Sequence, residues 1–367
     1  MSKNGIALIL TLILTGAILF LSGCDSPVPI PGTTDVYIGG LYADVSEYLP
    51  CYWKNEVFNY LPTLGFVTGN VKSIYVSGPD IYCAGSVQAG IGASFPAKPC
   101  LWINNGKLVP LKALDDTKNG YAQSVVVSNG NIYIAGYCKN SFDHDLPCVW
   151  QSILTNQDPM ILSIPDTATD GYVQAVQVTN GNVYVAGYTK NSGSGLKTPC
   201  IWEIGAGRSD FTGLSSTKNS TADCLYIYDD NRFIGGTSVN NSNVGMPGYW
   251  KNEVWQTPTL PVVEDTYGGD ITAISADAKN VYAAGDCFSS KGWVPSVWIN
   301  GTRTNLDKGL YLTGRVSGLY VSDGDVYICG YLDLAGQPCY WKNGARTMLP
   351  VPNFATAYPY TIFAVRH

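Results

Sequence analysis

Histidine is almost absent from this chain of 367 residues, which contains only His144 and His367. A serine or cysteine triad would have to use His144 almost by default, yet that residue stands between Asp143 and Asp145 and is interpreted as a solvated loop residue. The motifs Gly-x-Ser-x-Gly, His-Glu-x-x-His, Walker and Cys-x-x-Cys are missing as well. The sequence therefore predicts no catalytic triad, no metal site and no cofactor.

Charged residues are also scarce, at 14% of the chain, and the net charge is −6. An acidic balance argues against nucleic acid as a partner. The abundance of Gly, Tyr and Trp is not typical of a disordered protein. Beyond residue 21 the sequence shows no long apolar period of 3.6 residues, so we expect an all-β protein with almost no helix.

The one long apolar run, residues 6–21, follows the positive charge of Lys3. At roughly 16 residues it is short for a bilayer span, and small residues follow it, as in a signal peptide. The sequence Leu21-Ser22-Gly23-Cys24 resembles the bacterial lipobox. This resemblance implies cleavage before Cys24 and acylation of that residue, which together anchor a protein stably. The alternative is an ordinary secretory signal with a chance cysteine.

Three segments follow from this interpretation. We expect a signal peptide with a signal helix over residues 1–23, a lipidated tether over 24–34, and the remainder of the protein over 35–367. Three prolines stiffen the tether. The expected location is the bacterial cell envelope, with membrane lipid bound through Cys24 on the extracytoplasmic side of an inner or outer membrane.

Seven copies of a two-part motif fill residues 35–367. Each copy has a Pro-x-x-Trp frame whose tryptophans are Trp53, Trp102, Trp150, Trp202, Trp250, Trp298 and Trp341. Upstream of each frame lies a segment such as Asn182-Val-Tyr-Val-Ala-Gly187. The period of about 48 residues is that of propeller blades. Each repeat has four apolar runs with turn residues between them, which predicts four short strands, A to D.

The two ends of the repeat region predict how the ring closes. The first repeat begins at strand B, near Asp35, and residues 359–367 match a strand A that has no continuation. The last strand can therefore complete the first blade and leave no open sheet edge. We predict a seven-bladed β-propeller, with a linear solenoid as the alternative. The tryptophans are expected to pack between blades.

Ten cysteines besides Cys24 are present. Five of them share the position after the frame proline, where the other two blades have Gly248 and Ser296, so a small buried side chain is expected there. Equivalent positions in different blades are too far apart for disulfides. Cys138 and Cys148 lie in the same blade, and a disulfide between them is left open.

Loop lengths predict where a ligand binds. The A–B and C–D connections are tight turns, and strand order places them together on one side of the disc, called here the tight-turn face. The B–C and D–A connections are longer and differ between blades, and they form the opposite, variable-loop face. Recognition is usually placed on such loops. The candidate binding residues there are Tyr121, Tyr137, Tyr172, Tyr188, Asp143, Asp270, Trp293 and Arg315. An alternative is that the tyrosines only wedge the blades together.

The Val-Tyr-Val-Ala-Gly-Tyr and Pro-Cys-Tyr-Trp-Lys-Asn-Gly motifs resemble the repeats of uncharacterised bacterial propeller lipoproteins. This resemblance covers residues 35–367 and implies fold and location, with no known activity. The chain lacks the Trp-Asp signature of WD40 blades and the Ser-x-Asp-x-Gly-x-Thr-Trp box of sialidases.

Three hypotheses for function follow. The first is a non-enzymatic, monomeric binding or scaffold module for an unknown protein or glycan. The second is a polysaccharide hydrolase or lyase whose carboxylates come from a set such as Asp115, Asp116, Asp223, Asp270 and Asp286. The third is an adaptor in envelope assembly.

Overall fold

The computed structural model describes residues 32–44, 47–92, 94–151, 158–258, 266–333 and 335–367. The expected signal helix, Cys24 and most of the tether lie outside these residues. Within the described part, none of the helical structure is long and apolar enough to cross a bilayer. A compact body spans Thr34–His367.

This body consists of seven four-stranded antiparallel sheets, as predicted. Blade 1 contains β1 (Thr34–Asp44), β2 (Glu47–Lys54), β3 (Val57–Tyr60) and the last strand of the chain. Blade 2 contains β4 (Thr68–Ser77), β5 (Asp80–Gln88), β6 (Lys98–Ile103) and β7 (Lys107–Pro110). Blade 3 contains β8 (Gly120–Ser128), β9 (Asn131–Lys139), β10 (Asp145–Gln151) and β11 (Met160–Ile161). Blade 4 contains β12 (Ala168–Thr179), β13 (Asn182–Asn191), β14 (Lys197–Glu203) and β15 (Gly207–Asp210).

The remaining blades repeat this order. Blade 5 contains β16 (Ser220–Tyr228), β17 (Asn231–Val239), β18 (Gly245–Lys251) and β19 (Val254–Gln256). Blade 6 contains β20 (Thr266–Ala276), β21 (Val281–Ser289), β22 (Gly292–Ile299) and β23 (Thr302–Asn305). Blade 7 contains β24 (Gly314–Ser322), β25 (Asp325–Leu332), β26 (Gln337–Lys342) and β27 (Ala345–Met348). A short 3-10 turn, Pro352–Phe354, precedes β28 (Thr356–Arg366), which returns to blade 1.

The ring closes as the sequence predicts. Strand β28 pairs antiparallel with β1, from Thr34 opposite Arg366 to Ala43 opposite Thr356. Each A strand also contacts the A strands of both neighbouring blades, so these seven strands surround the axis. The linear solenoid is therefore wrong.

The tryptophans pack between blades, as expected, and their indole N–H groups fix the spacing. In six blades Nε1 donates to a backbone carbonyl just past the D strand of the preceding blade, at 2.7–2.8 Å. Trp202, for example, donates to the carbonyl oxygen of Ser163. Trp298 is buried too, but its Nε1 has no hydrogen-bond partner among the described residues. A buried indole is thus joined to the next blade by both its ring and, in six cases, its N–H.

The five cysteines after the frame prolines are fully buried free thiols, which confirms the small-residue interpretation. In blade 5 the position is Gly248, because the ring of Trp255 occupies the space that a side chain would fill. Cys138 and Cys148 are also free, so the disulfide that their spacing allowed is not formed.

Every A strand carries a β-bulge at the same place, and the motif glycine of the adjacent B strand lies opposite it. Strands β12 and β20 have a second register shift near their start. In blade 4, Gln174 is the extra residue, skipped in the pairing of β12 with β13. The bulge brings the carbonyl oxygen of Tyr172 so close to Gly187 that a Cβ there would overlap with it. The glycine of the repeat is therefore required by the bulge, because bulges disrupt the ladder locally and re-aim side chains.

Hydroxyl groups join some of the bulges to the next blade. Ser73 Oγ accepts the backbone N–H of Val125 at 3.1 Å, and Ser124 Oγ accepts that of Val176 at 3.2 Å. Each acceptor follows a bulged residue, and each donor lies two residues after the bulge of the following blade. These bonds satisfy backbone groups that the disrupted ladder leaves unpaired.

Candidate ligand-binding site

Four of the candidate residues form one continuous row, called here the tyrosine row. Tyr121 contacts Tyr137, which contacts Tyr172 in the next blade, which stacks on Tyr188, with ring centroids 5.0–5.2 Å apart. All four rings are half-buried. The row joins blades 3 and 4, as the wedge interpretation expects, and ligand binding by these tyrosines stays a prediction.

The hydroxyl groups of the tyrosine row stay protonated at ordinary pH. Tyr172 donates to Asp145 Oδ2 at 3.0 Å. Burial raises the pKa of Tyr188 to about 12, and burial together with nearby carboxylates raises the pKa of Tyr137 and Tyr172 further. The row thus offers a ligand apolar ring edges and neutral hydroxyl groups.

Three other candidates, Asp270, Trp293 and Arg315, form a second group together with Asp286, called here the aspartate–arginine cluster. Asp270 and Asp286 are directly opposite each other on β20 and β21. The guanidinium of Arg315, on blade 7, lies 3.4 Å from Asp270 and 2.7 Å from Asp286. Its other face lies 4.0 Å from the centroid of the Trp293 ring. One arginine therefore holds two carboxylates and one aromatic ring across the boundary between blades 6 and 7.

The two carboxylates of this cluster are unequal. Asp286 is fully buried, and its Oδ1 accepts the backbone N–H of Val316 at 2.9 Å. Burial raises the pKa of both carboxyl groups, and the positive charge of Arg315 lowers it in part. The two carboxylates do converge, but because they share one guanidinium and Asp286 is out of reach of solvent, the pair is unsuited to act as a glycosidase dyad.

The remaining carboxylates named from the sequence lie elsewhere. Asp143 is an exposed residue of the β9–β10 connection whose carboxylate pairs with Lys118 at 3.0 Å, apart from both groups. Asp115 and Asp116 lie in the β7–β8 connection, where Asp115 accepts a hydrogen bond from Thr117. His144 is partly exposed, 3.8 Å from Asp170. Asp223, by contrast, lines a cavity on the axis of the propeller, which is called here the central channel.

The bulged residues of the seven A strands form a ring around one cavity of about 460 Å³ on the axis. The cavity falls within the range of small-molecule sites, and Arg315 and Tyr331 line it as well. In blade order from 1 to 7, this bulge ring consists of Tyr360, Lys72, Gln123, Gln174, Asp223, Thr272 and Ser317.

The bulge ring contains two charged side chains, and neither is neutralised. Lys72 lies over the Tyr360 ring, with Nζ 3.8 Å from its centroid, and burial lowers the lysine pKa. Asp223 accepts a hydrogen bond from Thr221 at 2.9 Å. Burial, with a smaller contribution from the charge of Asp270, raises the pKa of Asp223 to about 6. Among the described residues, neither has an oppositely charged side chain within 4 Å.

Sequence reasoning missed six members of the bulge ring, since only Asp223 had been named. A signal for the ring does exist. In blades 2 to 7 the bulged residue stands thirteen positions before the motif glycine, as Gln174 does before Gly187. It is polar in all six, and the residue just before it is Val, Ala or Ile.

No profile of a known protein family matches this chain, and no curated protein matches it in sequence. Among solved structures, the chain is similar to the WD40 β-propeller domain of Doa1, at 13% identity and a TM-score of 0.45, covering 78% of this chain and 84% of that one. It is similar to YCF48 bound to D1 peptide, at 10% identity and a TM-score of 0.45, covering 83% and 94%. It is also similar to the Hadza microbial sialidase Hz136, at 9% identity and a TM-score of 0.48, covering 83% and 73%. Similarities of this size say nothing about function.

Metal binding finds no support in the described residues, which contain no group of three His, Cys, Asp or Glu side chains able to hold an ion.

Proposed function

We propose that this protein is a ligand-binding module of the bacterial cell envelope, held by a lipid on Cys24, whose site is the central channel and its rim on the variable-loop face. One observation carries the proposal. The same bulge in all seven blades delivers seven side chains, of six kinds, to a single cavity of about 460 Å³. The scaffold is thus repeated while the lining differs.

The chemistry of the lining supports a small polar ligand. Amide, hydroxyl, ammonium and carboxylate groups of the bulge ring point into one cavity, and the tyrosine row and the aspartate–arginine cluster lie above it at the rim. Polar groups that fix orientation beside aromatic surface are typical of small-molecule and glycan sites. Such a site needs neither metal nor nucleophile.

A blocking variant tests where the site lies. Ser317→Tyr gives blade 7 the residue that blade 1 carries at the equivalent bulge, so it should fold and reduce the cavity. Binding of peptides and oligosaccharides to the detergent-solubilised full-length protein should fall at least about ten-fold in this variant. Lys107→Tyr, on the exposed strand β7, is the matched control. Ligands that bind both variants like the wild type would place the site elsewhere.

The lipid anchor is supported by the resemblance of residues 21–24 to the lipobox. Cys24→Ser should abolish incorporation of labelled palmitate and move the protein from the membrane fraction to the soluble extracytoplasmic fraction. Cys200→Ser, at a fully buried cysteine of the propeller, is the control and should still incorporate palmitate. Labelling that persists in Cys24→Ser would refute the anchor.

A hydrolase is the second candidate, and Asp223 is the observation that favours it. A carboxyl group with a pKa of about 6 beside a second carboxyl group, that of Asp270, is suited to act as a general acid near neutral pH. If this is the function, Asp223→Asn should abolish cleavage of a polysaccharide or peptide substrate while retaining its binding. A panel of such substrates on which no cleavage is seen would remove the candidate.

A further inference from the structure

The charged residues of the bulge ring lie as far apart as the ring allows. Lys72 belongs to blade 2 and Asp223 to blade 5, three blades apart in a ring of seven. Gln123 and Gln174 lie between them on one side, and Thr272, Ser317 and Tyr360 lie between them on the other. The bulge ring is therefore positive at one wall, negative at the opposite wall and neutral but hydrogen-bonding around the rest. Arg315, which also lines the cavity, is paired with Asp270 and Asp286.

Unpaired charges at such a place oppose folding, because a half-buried ion loses hydration without gaining a partner. This cost would be absent if the two residues lay in adjacent blades, where their charges would pair. The protein instead holds each with a weak local contact, the ring of Tyr360 for Lys72 and the hydroxyl of Thr221 for Asp223. Both charges are thus available to a bound ligand.

We propose that the channel binds a small zwitterion, a free amino acid or short peptide, with its carboxylate toward Lys72 and its ammonium toward Asp223. This inference rests on the proposed binding function and names its ligand class. The glutamine amides and the hydroxyl groups suit the N–H and C=O groups of a peptide, because each side-chain amide both donates and accepts.

Chemical blocking of each end of the ligand tests the two contacts separately. Free amino acids and a panel of dipeptides covering all side-chain classes are titrated calorimetrically into the detergent-solubilised full-length protein. Each dipeptide that binds is then compared with its N-acetylated and its C-amidated form. We expect each modification to weaken binding about ten- to hundred-fold, as for the loss of one hydrogen bond to a charged group.

Two variants assign these losses to residues. Asp223→Asn should bind the free and the N-acetylated dipeptide equally, while still preferring the free acid over the amide. Lys72→Met keeps the aliphatic stem beside Tyr360 and should show the reverse pattern. The exposed pair Lys112 and Asp158 supplies the controls, since Lys112→Met and Asp158→Asn should leave both preferences unchanged.

Other outcomes overturn the inference in distinguishable ways. If no amino acid or dipeptide binds but a neutral saccharide does, and Ser317→Tyr blocks it, the zwitterion is wrong and the binding function stands. If blocked and free dipeptides bind equally, the charges are not used and the inference fails. If zwitterions bind and Ser317→Tyr has no effect, both the channel and this ligand orientation are wrong.

Discussion

At the scale of single residues, the motif glycines are fixed by a backbone atom of another strand. Gly187 and its counterparts lie against the carbonyl oxygen of the residue two positions before each bulge, Tyr172 in blade 4. The carbonyl oxygen and the glycine are both part of the backbone, so a change of side-chain rotamer cannot make room for an added methyl group. The glycine and the bulge therefore depend on each other.

Gly187→Ala should consequently lower the free energy of unfolding by roughly 3 kcal/mol, because the added Cβ forces the two strands apart. Gly106→Ala is the control, since its Cβ would meet no atom within 4 Å. Urea denaturation of both variants measures the difference. Equal stabilities would mean that the bulge can relax.

Asp223 should make stability depend on pH. Its pKa is raised from 3.8 to about 6, so the folded state binds a proton more tightly than the unfolded state. The destabilising effect of its charge is absent at low pH, grows between about pH 4 and 6, and is constant above that. Asp270 adds to this effect, and Lys197 opposes it.

Asp223→Asn should therefore raise the free energy of unfolding by roughly 1–3 kcal/mol at pH 8. The gain should shrink as the pH falls from 6 to 4. Asp116→Asn, on the exposed β7–β8 connection, serves for comparison across the same pH series. A gain at pH 8 that persists unchanged at pH 4 would contradict the assignment.

At the scale of elements, the seven tryptophans join each C strand to the preceding blade, and one of them offers an internal control. Trp202 donates to a carbonyl oxygen, whereas Trp298 has no such partner among the described residues. Replacement by Phe removes part of the ring in both cases, but among the bonds that the described residues form it removes one only at Trp202.

Trp202→Phe should therefore cost about 0.5–1 kcal/mol more stability than Trp298→Phe, because the carbonyl oxygen of Ser163 loses one of its two donors and keeps only Arg208 Nη1, at 3.2 Å. Thermal unfolding of the two variants under identical conditions gives this difference. A larger loss at Trp298 would indicate that ring packing outweighs the hydrogen bond.

The strands show where sequence reasoning succeeds and where it stops. Apolar runs and turn residues predicted the blades, and the frames around Trp53 to Trp341 predicted their packing, because both depend on local composition. The bulges were not predicted, because one extra residue leaves the apolar character of a strand unchanged. The side chains that the bulges direct into the channel, such as Lys72 and Gln174, were therefore missed.

The rim was predicted better, since loop lengths and strand order fix which face a residue occupies. Tyr121, Tyr137, Tyr172 and Tyr188 were named from the sequence, and the structure brings them into contact. The convergence of Asp270, Asp286 and Arg315 crosses a blade boundary, which the repeats alone do not resolve. Asp143 was placed with them, yet it pairs with Lys118 outside both groups.

At the scale of the whole molecule, β28 completes blade 1 and closes the ring, and the hydrogen bond from Trp53 to the carbonyl oxygen of Pro350 adds to the contact between blades 1 and 7. This strand supplies the inner strand of blade 1 and contacts the inner strands of blades 2 and 7. Without it, β1 becomes an open edge, and the bulge ring loses Tyr360.

Deletion of residues 356–367 should abolish the cooperative thermal transition or produce aggregates, and a synthetic peptide of the same residues should restore the transition when added in excess. Deletion of His367 alone should have little effect, because this residue is exposed. Circular dichroism and size-exclusion chromatography provide the measurements. A truncated chain that unfolds like the full protein would show that closure is dispensable.

Thr34 begins β1 on the tight-turn face, where it pairs with Arg366. The bulge ring lies in the middle part of the inner strands, and the cavity extends from it toward the opposite, variable-loop face, where Arg315, the second residue of β24, also lines it. Solutes that approach the variable-loop face therefore reach the cavity without passing Thr34.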